Sequence, residues 1–199
     1  MENHVLRGTL FVCFFLFNFY SQAQVTLSNP SDCLLGASIS TNNCPQNEPG
    51  QNPDLFDIQV NGIVGTQLGV DVYLSELRLL IEHTWMGDLE LVLRSPSGQT
   101  ISLSNHNGGN KDNFGDPSVE DCSAYGVLQQ FACQSIVDAI PPYTDQAYAP
   151  EESFLNFNDG SNPNGTWQLQ ICDHELANAG TLEFIHLVFE EINCLPVEN

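Results

Sequence analysis

Positive charge is scarce in this chain. Lysine and arginine together number 4 against 25 aspartates and glutamates, a formal net charge of −21. Such a chain repels nucleic-acid phosphates and anionic lipid headgroups, which sets both aside as partners. No Cys-x-x-Cys pair or nearby histidine spacing occurs, so a zinc finger lacks its ligands. No Gly-x-Ser-x-Gly elbow occurs either. The apolar run Leu10 to Phe19 is shorter than the ~20 residues of a membrane span, and no other stretch competes with it. No long segment carries a clean helical period. The chain is not a disordered acidic tail, because 42% of its residues are hydrophobic and they are arranged periodically.

Residues 1–23 have the form of a secretory signal peptide. Arg7 supplies the positive region, the apolar run follows, and Ser21-Gln22-Ala23 offers small residues for cleavage after Ala23. A secreted, extracellular protein is therefore expected. Discounting Cys13 leaves Cys33, Cys44, Cys122, Cys133, Cys172 and Cys194, an even set that reads as disulfides in a secreted chain. Cys33–Cys44 and Cys122–Cys133 would each close a short loop. Cys172–Cys194 follows only by elimination. It is awkward if the last two strands form a hairpin, so pairing of Cys194 with an N-terminal cysteine competes with it.

Residues 24–54 are rich in Asn, Pro, Ser and Gly and read as an irregular N-terminal segment. Alternation then begins. Phe56, Ile58 and Val60 form one inward face. Val70 to Leu74 opens a strand, and Leu77, Leu79 and Ile81 line another. Leu89, Leu91 and Leu93 follow, entered by Gly87-Asp88 and left by Ser95-Pro96-Ser97-Gly98. Ile101 and Leu103, then Trp167, Leu169 and Ile171, and finally Leu182, Ile185, Leu187 and Phe189 complete the set. Short strands punctuated by turns favour an all-β sandwich. The stretch from Asn105 to Gly160 reads as a long acidic loop, with a short helix or a distorted strand somewhere in Val127 to Ile140.

Several pieces occur in a fixed order: His83-Thr84, Gly87-Asp88-Leu89, Ser95-Pro96, Gly98, Gly108-Gly109-Asn110-Lys111-Asp112-Asn113-Phe114, Gly165, Trp167, Leu169, Asp173, Gly180-Thr181-Leu182, Leu187 and Phe189. From about Asp71 to about Phe189 this pattern resembles the P domain (Homo B domain) that follows the catalytic domain in proprotein convertases and related bacterial subtilisin-like proteases. The resemblance implies a jelly-roll-like β-sandwich over residues 55–194, with 195–199 as a tail. It also implies an accessory module that packs on a protease domain and supports its folding or stability.

Calcium is the most physical use of the acids, because it takes six to eight oxygen ligands. The Gly108–Asn113 segment supplies flexible backbone and oxygen side chains, and the resemblance adds weight at Asp88, Asp112 and Asn113. Asp116, Glu120 and Asp121 complete the expected ligand set. The competing explanation is that Asp and Asn occupy turns because they bond their own backbone. That explanation is preferred for Asp159, Asp173 and Glu175, where a capping role is expected.

His83, Asp88 and Ser95 or Ser97 are not expected to form a protease triad. They flank one extended strand, and a triad needs its members within hydrogen-bond reach. His83 and Trp85 read as turn and packing residues, and Trp167 as a core anchor. The Asn164-Gly165-Thr166 sequon is accounted for by the strand entry. The reading is thus a secreted, non-catalytic, calcium-binding module associated with serine endopeptidases, partnered by a protease domain or another extracellular protein. Two alternatives stand beside it: a carbohydrate-binding or adhesion module stacking sugars on Trp85, Tyr125, Tyr143 and Tyr148, and a piece of a truncated subtilisin- or kexin-like protease.

Overall fold

The computed structural model describes residues 25–44 and 52–192. The expected signal peptide and cleavage site, Cys194 and the expected 195–199 tail lie outside the described residues. Ten strands form two five-stranded sheets. They are β1 (Val25–Ser28), β2 (Ala37–Ile39), β3 (Asp54–Val60), β4 (Val72–Glu82), β5 (Leu89–Arg94), β6 (Thr100–Asn105), β7 (Gly126–Gln129), β8 (Ala147–Tyr148), β9 (Gly165–Asp173) and β10 (Gly180–Glu191). One sheet has the order β1-β3-β9-β5-β6 and the other β2-β10-β4-β7-β8. The chain changes sheet at most of its connections, as an all-β sandwich of the jelly-roll kind requires. Among the described residues, helix is confined to short 3-10 turns.

The inward faces are those the alternation marks. Phe56, Ile58 and Val60 from β3, Leu89, Leu91 and Leu93 from β5, and Trp167, Leu169 and Ile171 from β9 meet Leu77, Leu79, Ile81, Leu182, Ile185 and Leu187 from the facing sheet. Trp167 is the anchor. Its indole N–H donates to the Pro163 carbonyl at 2.8 Å, and its ring meets Phe157 and Phe189 edge-on, with centroids 4.9 and 5.6 Å away. The polar end of the buried indole is thereby satisfied.

The structure corrects the sequence reading at several points. The two strands expected at Val70–Leu74 and Leu77–Ile81 are one, because β10 pairs along the whole of β4. The broken spacing between Leu182 and Ile185 is a register shift between Leu182 and Phe184, where one extra residue returns the inward face to the core. The segment expected to be irregular supplies an edge strand to each sheet, β1 on β3 and β2 on β10. Three or four residues show too little alternation to announce themselves, and they are strands because a long neighbour offers its edge. The long acidic loop holds β7 and β8, and Val127 to Ile140 proves to be part strand and part 3-10 turn (Ile136–Asp138).

The disulfides also differ from the expected pairs. Cys33 is bonded to Cys122 and Cys44 to Cys172, while Cys133 is free and exposed. Each expected short loop contains a strand, β2 between Cys33 and Cys44 and β7 between Cys122 and Cys133. At ~3.3 Å per residue an extended segment carries its flanks apart, beyond the Cα separation a disulfide tolerates. Cys172–Cys194 is excluded because Cys172 is already bonded, and the competing pairing of Cys194 with an N-terminal cysteine is excluded because Cys33 and Cys44 are bonded to Cys122 and Cys172.

The free edge of β6 is closed by acids. The Ser102 N–H donates to Glu152 at 2.8 Å and the Asn105 N–H to Glu151 at 2.9 Å. Side-chain carboxylates thus take the place of another strand, which protects the edge from pairing with a second chain.

Candidate functional site

The turn before β5 and the Gly108–Phe114 loop are strapped together by backbone. The Asn113 N–H donates to the His83 carbonyl at 2.8 Å, Met86 N–H to Lys111 at 2.8 Å, and Gly87 N–H to Gly109 at 2.8 Å. A Cβ on Gly87 would lie 2.9 Å from the Gly109 backbone, so the close approach needs glycine there. The two most distinctive pieces of the sequence pattern are therefore one structural unit.

That unit divides the expected calcium ligands. Asp112, Asn113 and Asp116 line an open cavity of about 480 Å³, together with Asn110, Lys111, Pro141 and Pro142. Asp88 faces a different cavity, beside Trp85, Glu175 and Asn178. The Asn113 side-chain oxygen accepts the His83 N–H at 2.9 Å and so closes the strap. Asp116 accepts the Ser118 hydroxyl and N–H, which hold its carboxyl below the usual range. Asp121 is likewise held low by Ser123. Asp121 and Glu120 are exposed on the following turn and do not line the Asp112 cavity. The six residues thus do not converge on one point. Asp112 and Asp116 are the carboxylates that share a concave surface.

The serines and the histidine of the notional triad lie apart. His83 is fully buried, and its ring nitrogens face the Trp85 carbonyl at 3.0 Å and Asp173 at 3.4 Å. Ser95 bonds Ser97, and Ser97 donates to Asp159 at 2.8 Å, at the far end of β5. The second acidic group caps loops as expected: Asp159 accepts the Ser161 N–H and Asp173 the Glu175 N–H. Asn164 is engaged at both ends of its amide by the Ile63 backbone, so the sequon side chain is a structural bridge. Tyr143 and Tyr148 are 1% and 2% exposed, which removes two of the four aromatics the sugar-stacking alternative relied on. Burial pushes both phenols up. Trp85, in contrast, is 44% exposed rather than packed.

One cluster escaped the sequence reading. Glu90 on β5 pairs directly with Cys172 on β9, and His174 follows two residues later, which returns it to the same face. Donor atoms of Glu90, Cys172 and His174 all lie within 4.8 Å of one another. The period-2 spacing of Cys172 and His174 is visible in the sequence. The cross-strand position of Glu90 is not.

Comparison with known proteins bears on the same unit. A family model, the proprotein convertase P-domain, matches residues 75–127. That segment of the chain is similar to a P-domain. The match runs from within β4 through β5 and β6 to the start of β7 and takes in all six expected calcium ligands. Among curated proteins none matches the chain. Similar solved structures include two crystal structures. One is the Aeromonas sobria serine protease in complex with its ORF2 chaperone, at 15% identity and a TM-score of 0.38, over 80% of this chain and 25% of that one. The other is the serine protease of Aeromonas sobria, at 16% identity and a TM-score of 0.36, over 78% of this chain and 25% of that one. This chain therefore spans about a quarter of the length of either solved chain.

Proposed function

We propose that this protein is a secreted, non-catalytic accessory module of the P-domain type, stabilised by calcium and acting beside a serine endopeptidase. The observation that carries the accessory role is the P-domain match over the strapped unit. Secretion is supported by the two disulfides, which persist in oxidising compartments.

The calcium reading rests on a smaller set of residues than the six marked by the sequence. Asp112 and Asp116 share the cavity with Asn110 and Lys111, and two carboxylates with an amide oxygen are donors of the kind a hard cation takes, set against one ammonium group. Among the described residues, the Asp112 carboxylate accepts no hydrogen bond from protein. Calcium there would tie the loop closed and offset the repulsion of a chain carrying a net charge of −21.

The test is a melting curve with and without calcium. Calcium at 100-fold its dissociation constant adds about 2.7 kcal/mol, a rise of roughly 5–11 °C for a domain of this size. Asp112→Asn with Asp116→Asn is expected to abolish the rise, and Asp88→Asn to leave it. An unchanged midpoint from micromolar to millimolar calcium refutes the calcium reading. Cleavage of a basic-residue peptide by the purified chain, lost on His83→Ala, refutes the non-catalytic one.

A further inference from the structure

Cys133 is the cysteine that the fold leaves unexplained. Among the described residues it alone is unbonded, and it is exposed. Cys33, Cys44, Cys122 and Cys172 are joined in two bonds. An exposed thiol in a chain that otherwise oxidises its cysteines is reactive and calls for a partner. After Cys13, one cysteine of the sequence is still unassigned: Cys194, two residues past Ile192, where the described residues stop.

The register brings the arms that lead to these two cysteines to one place. β7 and β10 lie on opposite sides of β4, and both run antiparallel to it. They therefore travel in the same direction and leave the sheet toward the start of β4. At the end of β7 the Gln130 N–H donates to the Ser75 carbonyl at 2.9 Å, and at the end of β10 the Ile192 N–H donates to the Asp71 carbonyl at 2.9 Å. Tyr73 stands between these points and touches both arms. Its ring meets the Phe131 ring with centroids 6.1 Å apart, and its hydroxyl donates to Glu190 at 2.7 Å. Cys133 is two residues beyond Phe131.

The gap is one that the chain can cross. Strands flanking a common neighbour are about 10 Å apart. Two extended residues from Ile192 reach up to ~7 Å, and two from Phe131 the same. That reach allows the Cα separation a disulfide needs, about 4.4–6.8 Å.

We propose that Cys133 and Cys194 form a third disulfide, which fastens the chain after β10 to the β7–β8 connection across the start of β4. The oxidant is a disulfide-bearing thiol carrier. The Cys133 thiolate attacks the carrier's disulfide and releases one carrier thiol; the Cys194 thiolate then attacks the Cys133 sulfur and releases the other. One S–S bond forms as one breaks, and the carrier leaves with the two electrons and both protons. The bond depends on neither the calcium nor the protease reading. It shares with secretion only the need for an oxidising compartment.

The test uses the full chain, equilibrated in a buffer with excess glutathione disulfide. Remaining thiols are blocked with iodoacetamide, and the chain is digested without reductant by chymotrypsin, which separates Cys122 from Cys133 at Tyr125 and Phe131. A peptide joining Cys133 to Cys194 is expected, with neither residue alkylated. Cys133→Ser should leave Cys194 as a newly alkylated thiol and lower the thermal midpoint by roughly 4–12 °C. Cys194→Ser should give the same shift, and the double variant no more than either, as one shared bond requires. Alkylation of both cysteines in the parent overturns the proposal. So does a bond from either one to glutathione or to a second copy of the chain in place of the joined peptide. Should a variant fail to fold, the parent's peptide map decides. Secretion is scored separately, by recovery of the chain from the medium, so that failure of one reading is distinct from failure of the other.

Discussion

Replacing Cys44 and Cys172 together by alanine tests the disulfide map and the energetics of the fold at once. The bond spans 128 residues. In the chain-entropy description, closing a loop of that length in the unfolded chain contributes about 4.9 kcal/mol to stability at 25 °C. The short loop of a Cys33–Cys44 bond would contribute only about 2.8 kcal/mol by the same relation. The two maps differ in partners, which peptide mapping reads directly. Denaturant unfolding of the oxidised double variant against the parent should show a loss of roughly 3–5 kcal/mol, or about 6–20 °C in the thermal midpoint. Peptide mapping without reductant should recover Cys33 joined to Cys122 in the variant and Cys44 joined to Cys172 in the parent. A peptide joining Cys33 to Cys44, or a loss near ~1 kcal/mol, refutes the reasoning. The first would mean β2 does not separate those cysteines; the second, that the crosslink constrains little of the unfolded ensemble.

Two further outcomes follow from the core and from buried protons. Trp167→Ala removes the fully buried indole between Phe157 and Phe189 and leaves the Pro163 carbonyl without its donor; a loss of about 3–5 kcal/mol is expected by denaturant unfolding, and a loss under about 1 kcal/mol would contradict its anchoring role. Burial, with Arg78 nearby and opposed by Glu76, holds the His186 imidazole below its usual range. The unfolded chain therefore takes up this proton first on acidification, and stability falls as pH drops from about 6.5 through the folded value. Asp159, held low chiefly by Ser161 and also by Ser97, adds a second loss at lower pH, beginning near its ordinary value of 3.8. Midpoints measured from about pH 7.5 to about pH 3 should show both phases, and His186→Gln should flatten only the upper one.

Much of the fold is legible in the order of residues. Leu89, Leu91, Leu93 and Trp167, Leu169, Ile171 declare their inward faces because strand geometry forces neighbours to opposite sides, and those faces are the core. Edge strands are not legible in this way. Val25–Ser28 and Ala37–Ile39 are too short to show a period and owe their conformation to β3 and β10. The site is legible only in part. The Gly108–Phe114 loop and the turn at Asp88 read as one functional region, and the backbone does strap them together. Their side chains nonetheless face separate cavities, because which way a turn points its carboxylate depends on what it packs against.

That this chain is an acidic stack of strands punctuated by turns is written in its residue order, since alternation, turn residues and charge are local properties. Which cysteine meets which, and that Glu90 and His174 come together, emerges only when the sheets assemble. Those contacts join residues far apart along the chain, and their distance is set by strand order and register across the sheet.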